Sequence, residues 1–262
     1  TNALSLNTTG VNTDKLNSLE SFADGFQERA GRYSVEQFHQ ILDKLQEMPG
    51  NYKAWNLGLA SAIACCSFTF LLGGGIVEMI CAFFGAGIGN FIRKKLIENH
   101  ITLLANVTAG VASACCVYVM LIKLAEIIFN VSNIHQAGYI CSMLFVIPGF
   151  PLITGGIDLA KLDLRSGLER VAYALLIIVM ATLTGWITAT IFQFQPSEFM
   201  ELSLNPILML LLRLTTSFCG VYGFSLMFNS PRKMAFTAGI IGMLVNTLRL
   251  ELIDFTSIPA SA

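Results

Sequence analysis

Charge is what this sequence has least of. Asp, Glu, Lys and Arg make up 13% of its 262 residues, against 54% hydrophobic residues and a mean hydropathy of +0.66. That balance excludes an ordinary soluble domain and implies a polytopic membrane protein. The net charge of −1 is segregated, with many of the acids in the first 53 residues and the basic residues of the remainder in short clusters. No basic face is present, so nucleic acid is not an expected partner. The seven cysteines all lie in apolar runs without metal-ligand spacing, and they read as small apolar fillers. The neighbours Cys65 and Cys66, like Cys115 and Cys116, point in different directions on a helix. There is no Gly-x-Ser-x-Gly elbow, no Cys/His nucleophile pair and no paired-carboxylate motif, so no enzyme and no cofactor is implied. An initiator Met and a charged-then-apolar leader are also missing, and the chain reads as a piece of a longer protein.

What is present is helical throughout, so the expected fold class is an all-α polytopic membrane protein. Residues 1–12 are polar and irregular in pattern. Residues 13–30 then place Leu16, Leu19, Ala23 and Phe26 on one stripe. Ser34 and Gln37 form a capping-box pair opening a second amphipathic helix with Val35, Phe38, Leu42 and Leu45 at helical spacing. His39, among Gln, Glu and Lys, is expected to be solvated.

From Ala54 onward there are seven apolar runs, near 54–72, 76–92, 101–122, 136–159, 171–194, 206–228 and 234–255. A helix needs about 20 such residues to cross the hydrocarbon core. Gly73-Gly74-Gly75 predicts a tight turn, and Gly85, Gly87 and Gly89 predict close helix packing in the second run. Arg93-Lys94-Lys95, Lys161 with Arg165, and Arg232-Lys233 fall in alternate loops, so those loops and the N-terminus are cytoplasmic. The intervening loops, Gly73 to Gly75, Ser132 to Gln136 and the acidic stretch with Glu198 and Glu201, fit the same topology. Phe70 to Arg93 is echoed by Phe224 to Arg249, which implies a five-span repeat followed by the start of an inverted second copy. The expected organisation is therefore a cytoplasmic helical segment over 1–53, a five-span membrane domain over 54–195, and two spans of a second membrane domain over 196–262.

The segment most informative for function is Pro148-Gly149-Phe150-Pro151, followed by Thr154-Gly155-Gly156-Ile157-Asp158 and Leu164-Arg165-Ser166-Gly167-Leu168-Glu169-Arg170. It sets helix breakers and charges between two membrane-length runs. An unpaired backbone group in hydrocarbon costs several kcal/mol, so such breaks occur where protein or a water-filled cavity re-satisfies them. Transporters use them to build binding sites.

These residues resemble the bacterial threonine/serine exporter family. The likeness runs through Thr9-Gly10-Val11-Asn12-Thr13-Asp14-Lys15-Leu16, the helix around Ser34, Trp55 to Gly75, Arg93-Lys94-Lys95, and above all the block from Pro148 to Arg170. The resemblance implies a bacterial cytoplasmic-membrane protein that exports small hydrophilic amino acids, threonine and serine, driven by the proton motive force. It implies small amino-acid substrate, protons and lipid as partners, with a homo-oligomer possible. Related two-subunit proteins imply succinate, a dicarboxylate, as an alternative substrate, and a non-transporting membrane scaffold is a further alternative. It also implies three further spans and more soluble sequence than this chain carries.

Among the candidate residues, Asp158 falls near the cytoplasmic end of span four, where desolvation of a carboxylate favours its protonated form. The plainer expectation pairs it with Lys161 or Arg165. Pro148, Gly149 and Pro151 must open the helix locally, as hinge or substrate contact, and Gly155 weakens the helix beyond them. Glu169 and Arg170 are expected to open span five as a mutual or cross-helix ion pair. Glu78 and Glu126 are expected near the outer interface, with Lys123 pairing Glu126 at three-residue spacing. Asn106 offers a neutral polar group for interhelical hydrogen bonding or ligation. Arg213 has no local acid, so Asp158 or a substrate carboxylate is its expected partner.

Overall fold

The Ser34 hydroxyl accepts from the Gln37 N–H at 3.3 Å while the Gln37 side chain accepts from the Ser34 N–H at 2.9 Å, so the predicted capping box closes as read. The computed structural model describes residues 12–26, 33–129, 136–194 and 204–256, and among them it is all helical with no strand. Two amphipathic helices, α1 (Thr13–Asp24) and α2 (Val35–Gln46), come first. Neither contains a buried residue. Phe22 and Phe26 meet Phe38 with ring centroids 5.9 and 5.0 Å apart, which is how the two stripes find each other. His39 is exposed, as expected.

The membrane-length helices follow as α3 (Ala54–Leu71), α4 (Ile76–Glu98) and α5 (Leu103–Phe129). A short α6 (Gln136–Ser142), a 3-10 turn (Leu144–Val146) and α7 (Gly149–Ala160) come next, then α8 (Leu164–Ile191), α9 (Pro206–Met227) and α10 (Arg232–Phe255). Among the described residues, six helices are long and apolar enough to cross a membrane. A seventh crossing is made if Ala137–Val146 and Gly149–Ala160, bent by 65°, count as one broken span. The chain is thus a multi-pass helical membrane protein. The loop calls at Ser132 to His135 and at Glu198 and Glu201 lie outside the described residues, as does the match at Thr9 to Val11.

Two boundaries differ from the sequence expectation for physical reasons. The second span does not stop at 92. Arg93, Lys94 and Lys95 are good helix formers, and Lys95 pairs with Glu98 at 2.8 Å, so α4 runs through them. Likewise α8 begins at Leu164 rather than 171, with Asp163 capping it by accepting from the Ser166 N–H, and Glu169 and Arg170 therefore sit in its second turn. Lys123 does not reach Glu126. It donates to the Phe192 carbonyl at 2.8 Å and lies over the Phe192 ring, tying α5 to the end of α8.

Inside lipid the apolar faces gain nothing by leaving water, so association rests on close packing of small residues. At Gly89 of α4, a Cβ would stand 2.6 Å from Ala114 Cβ and 2.7 Å from the Gly110 carbonyl of α5, so only glycine permits that approach. The Gly-rich second run therefore packs closely, as predicted. The core lies among α4, α5, α6 and α8, around Tyr118, Val111, Val119, Ile122, Tyr139 and Ile177. Helix α9 packs on the other side of α3, with Phe68 and Phe224 rings 5.3 Å apart.

The N-terminal segment is pinned to the turn between α9 and α10. Thr13 N–H donates to the Phe228 carbonyl at 3.1 Å, the Asn229 amide bonds Asn12 and the Asn51 N–H, and the Tyr52 hydroxyl donates to the Ser230 carbonyl at 2.8 Å. The N-terminal segment and the Arg232-Lys233 turn thus share one end of the bundle, in agreement with the orientation read from the basic clusters.

Candidate functional site

Pro148 and Pro151 carry no N–H, so the span from Gln136 to Ala160 cannot continue as one helix. Each side of the break holds about eleven residues, or roughly 17 Å at 1.5 Å per residue, which puts the break near half depth. Both prolines are buried. The freed groups are met locally: Ile147 N–H donates to the Leu144 carbonyl at 3.1 Å, Gly149 N–H to the Ile147 carbonyl at 2.9 Å, and the Cys65 sulfur contacts the Phe145 backbone amide. The local opening expected from two prolines and a glycine is therefore observed. Gly149 and Gly156 face open space, with nothing within 4 Å of a built Cβ.

Below the break, Asp158 sits in the last turn of α7, where the Asp163 N–H closes the helix end on its carbonyl at 2.9 Å. A carboxylate beside the negative end of a helix dipole is disfavoured unless a cation offsets it. That cation is neither Lys161 nor Arg165. Arg170 Nη1 of α8 lies 3.1 Å from Asp158 Oδ2, across the hairpin, while Arg165 is taken up by the exposed Glu169 at 3.2 Å. The reason is geometric, since Lys161 and Arg165 flank the turn and point outward. Arg170 lies where α8 folds back on Gly155. A Cβ at Gly155 would stand 3.0 Å from Val171 Cγ2 and 3.2 Å from the Gly167 carbonyl, so Gly155 sets the hairpin spacing that puts the pair in range. Asp158 Oδ2 is buried and forms no hydrogen bond of good geometry in addition to this ion pair.

The other candidates are not gathered here. Glu78 lies in the first turn of α4 but is buried, 5% exposed, with its carboxylate accepting from the Gly75 N–H. Around it stand Thr69, Tyr118 and Gly138. Arg213 is not lacking an acid: Glu251 Oε1 lies 2.8 Å and Asp254 Oδ2 2.6 Å away, both from α10. The hairpin brings 38- and 41-residue neighbours together. Neither Asp158 nor a substrate is needed to compensate Arg213. Asn106 is buried, and its Oδ1 makes no hydrogen bond, so the expected interhelical bond through that atom does not form.

Arg93 escaped the sequence reading because it was assigned to a loop. In the structure it lies inside α4, with its Cβ 3.0 Å from a Cβ built at Gly110 of α5 and its Nε buried without a hydrogen-bond partner. Its electrostatic neighbour across the bundle is Tyr173 of α8, three residues beyond Arg170. The signal available in the sequence was the glycine at 110 opposite the end of span two.

Residues 1–192 match the model of a family described as "Putative threonine/serine exporter". The chain belongs to this family. Among curated relatives, this exporter-family chain is 29% identical over 144 residues to "Probable succinate transporter subunit YjjP" of Escherichia coli (strain K12), covering 55% of this chain and 54% of the relative. It is 28% identical over 144 residues, with the same coverage, to the protein of that name from Klebsiella aerogenes. The chain thus spans about half the length of the curated relatives it matches. No solved structure matches.

Proposed function

We propose that the protein exports a small hydrophilic amino acid, threonine or serine, across the bacterial cytoplasmic membrane in exchange for protons. The observation that carries this reading is the span broken at Pro148-Gly149 with the Asp158–Arg170 pair directly beneath it. A zwitterion needs an acceptor for its ammonium, and Asp158 is the acid closest below the break. Arg170 holds that carboxylate in its empty state. A proton from outside or an ammonium from inside then competes for the same oxygen, so loading one excludes the other. Glu169, engaged with Arg165 at the surface, serves the hairpin rather than the substrate. Alternating access would rock the five-span unit, 54–195, against the inverted second unit that begins with α9, with Pro148, Gly149 and Pro151 as the hinge.

A second reading has one observation in its favour. The curated relatives are named as succinate transporter subunits, so a dicarboxylate is the competing substrate, and the word subunit makes a second membrane chain or a second copy a candidate partner. Efflux of preloaded threonine, serine and succinate from proteoliposomes holding the full-length protein, with and without a pH gradient, separates the readings. Gradient-driven threonine or serine flux supports the first. Succinate flux alone supports the second, and no flux of any solute removes both and leaves a membrane scaffold.

A further inference from the structure

Both substrates carry a carboxylate, and the broken span supplies few donors for one. Pro148 and Pro151 have no N–H, the Gly149 N–H is held by Ile147, and Arg213 is already neutralised by Glu251 and Asp254. The inner half of the α4–α5 interface offers what is missing. Arg93 forms no ion pair among the described residues, and its Nε is buried without a partner. A guanidinium whose Nε is buried at a helix interface without an acid is costly unless something anionic reaches it.

The helix register adds a second polar group at the same place. Gly89 faces Ala114 and Gly110, and Arg93, one turn on, faces Gly110, so Asn106, one turn before Gly110 on the same face of the antiparallel α5, is the next residue along that interface. Asn106 is 3% exposed, and its Oδ1 has no hydrogen bond. Tyr173 of α8, within electrostatic range of Arg93, lies one turn from Arg170. One guanidinium Nε donor and one amide acceptor, both buried without a hydrogen bond, thus lie a turn apart on the α4–α5 interface.

We infer that Arg93 and Asn106 form a carboxylate-binding subsite of the inward-facing half of the protein, Arg93 holding the carboxylate and Asn106 accepting from a hydroxyl or ammonium of the same solute. This rests on the transport reading above and specifies its carboxylate anchor. It accounts for a cation inside α4, with its Nε buried, that the sequence reading placed in a loop.

The test uses the full-length protein in proteoliposomes, with threonine and succinate counterflow measured for wild type, Arg93→Gln, Arg93→Lys and Asn106→Asp. Losing a charge-assisted hydrogen bond is expected to raise the half-saturating concentration of the transported acid about tenfold or more in Arg93→Gln. Arg93→Lys should recover part of it. Asn106→Asp, nearly isosteric, places a competing carboxylate beside Arg93 and should weaken transport similarly. Threoninol, which lacks the carboxylate, should compete poorly with wild type and equally poorly with Arg93→Gln. Unchanged half-saturation in Arg93→Gln overturns the subsite. If wild type transports neither acid, the transport reading fails separately, and the subsite is then judged by thermal stabilisation of detergent-purified protein by millimolar threonine or succinate. Stabilisation present in wild type and lost in both Arg93→Gln and Asn106→Asp upholds it, whereas stabilisation retained in the variants, or absent from wild type, overturns it. If Arg93→Gln fails to purify as a monodisperse species, Arg93→Met replaces it with the same two outcomes, and Arg93→Lys should keep part of the stabilisation.

Discussion

Asp158 Oδ2 lies 3.1 Å from Arg170 Nη1, joining the last turn of one half-span to the second turn of the next helix. Asp158 is 21% and Arg170 45% exposed by side chain, so the pair is open to water on one side and contributes on the order of 1 kcal/mol or less to stability. Its interest is in charge exchange. Asp158→Asn is expected to leave the protein inserted and monodisperse, with a melting temperature close to wild type, and to abolish the dependence of efflux on a pH gradient. Gradient-dependent efflux that persists in Asp158→Asn removes this carboxylate from the coupling step.

The spacing of that hairpin makes a second expectation. Gly155→Ala puts a methyl group 3.0 Å from Val171 and 3.2 Å from the Gly167 carbonyl, so the helices must separate, at a cost of about 1–3 kcal/mol, as overpacking usually exacts. Gly156→Ala, one residue on, meets nothing within 4 Å and should be neutral or stabilising by up to about 1 kcal/mol, the helix preference of Ala over Gly. Thermal unfolding in detergent compares the two. Equal behaviour would show that the α7–α8 contact is looser than described.

Much of this arrangement was legible in the residues. Two prolines within four residues dictate a break whatever surrounds them, and glycines at 85, 87 and 89 dictate close packing, because both effects are local to the backbone. The capping box at Ser34 is equally local. What was not legible is pairing across helices. Arg213 finds Glu251 and Asp254 only because α9 and α10 form a hairpin, and Asp158 prefers Arg170 over nearer cations only because Gly155 sets the approach. Arg93 was misplaced for a related reason. A basic triplet reads as a loop by the positive-inside rule, yet the same residues are strong helix formers, and propensity carried α4 past them.

The Arg213 cluster accordingly predicts a stability effect. Arg213 is 14% exposed and faces two acids, so Arg213→Ala leaves Glu251 and Asp254 near each other without a cation and should cost about 3 kcal/mol, as breaking a mostly buried pair does. The triple replacement Arg213→Met, Glu251→Gln, Asp254→Asn removes the uncompensated charge and should recover most of it. Transport by the triple variant, measured alongside unfolding, is expected to remain. Its loss at recovered stability would return Arg213 to the list of substrate residues.

Asn229 is the point where the N-terminal helices are tied to the turn between α9 and α10. Its backbone is in the left-handed region, φ 60°, at the end of α9, and its side chain donates to Asn12 at 2.8 Å and accepts from the Asn51 N–H at 2.7 Å. Asn tolerates that conformation better than other non-glycine residues, so backbone and side chain both select it. Asn229→Ala loses two hydrogen bonds and gains left-handed strain, for about 2–3 kcal/mol in all. Asn229→Gly loses the bonds but relieves the strain, and should cost only about 1–2 kcal/mol. Limited proteolysis from the cytoplasmic face should then cut between α2 and α3 faster in both variants, because Asn51 and Tyr52 are released with the turn. Unchanged cleavage in Asn229→Ala would mean that the Thr13 and Tyr52 bonds hold the segment without it, and the order of stability, wild type above Gly above Ala, tells whether strain or bonding dominates at this position.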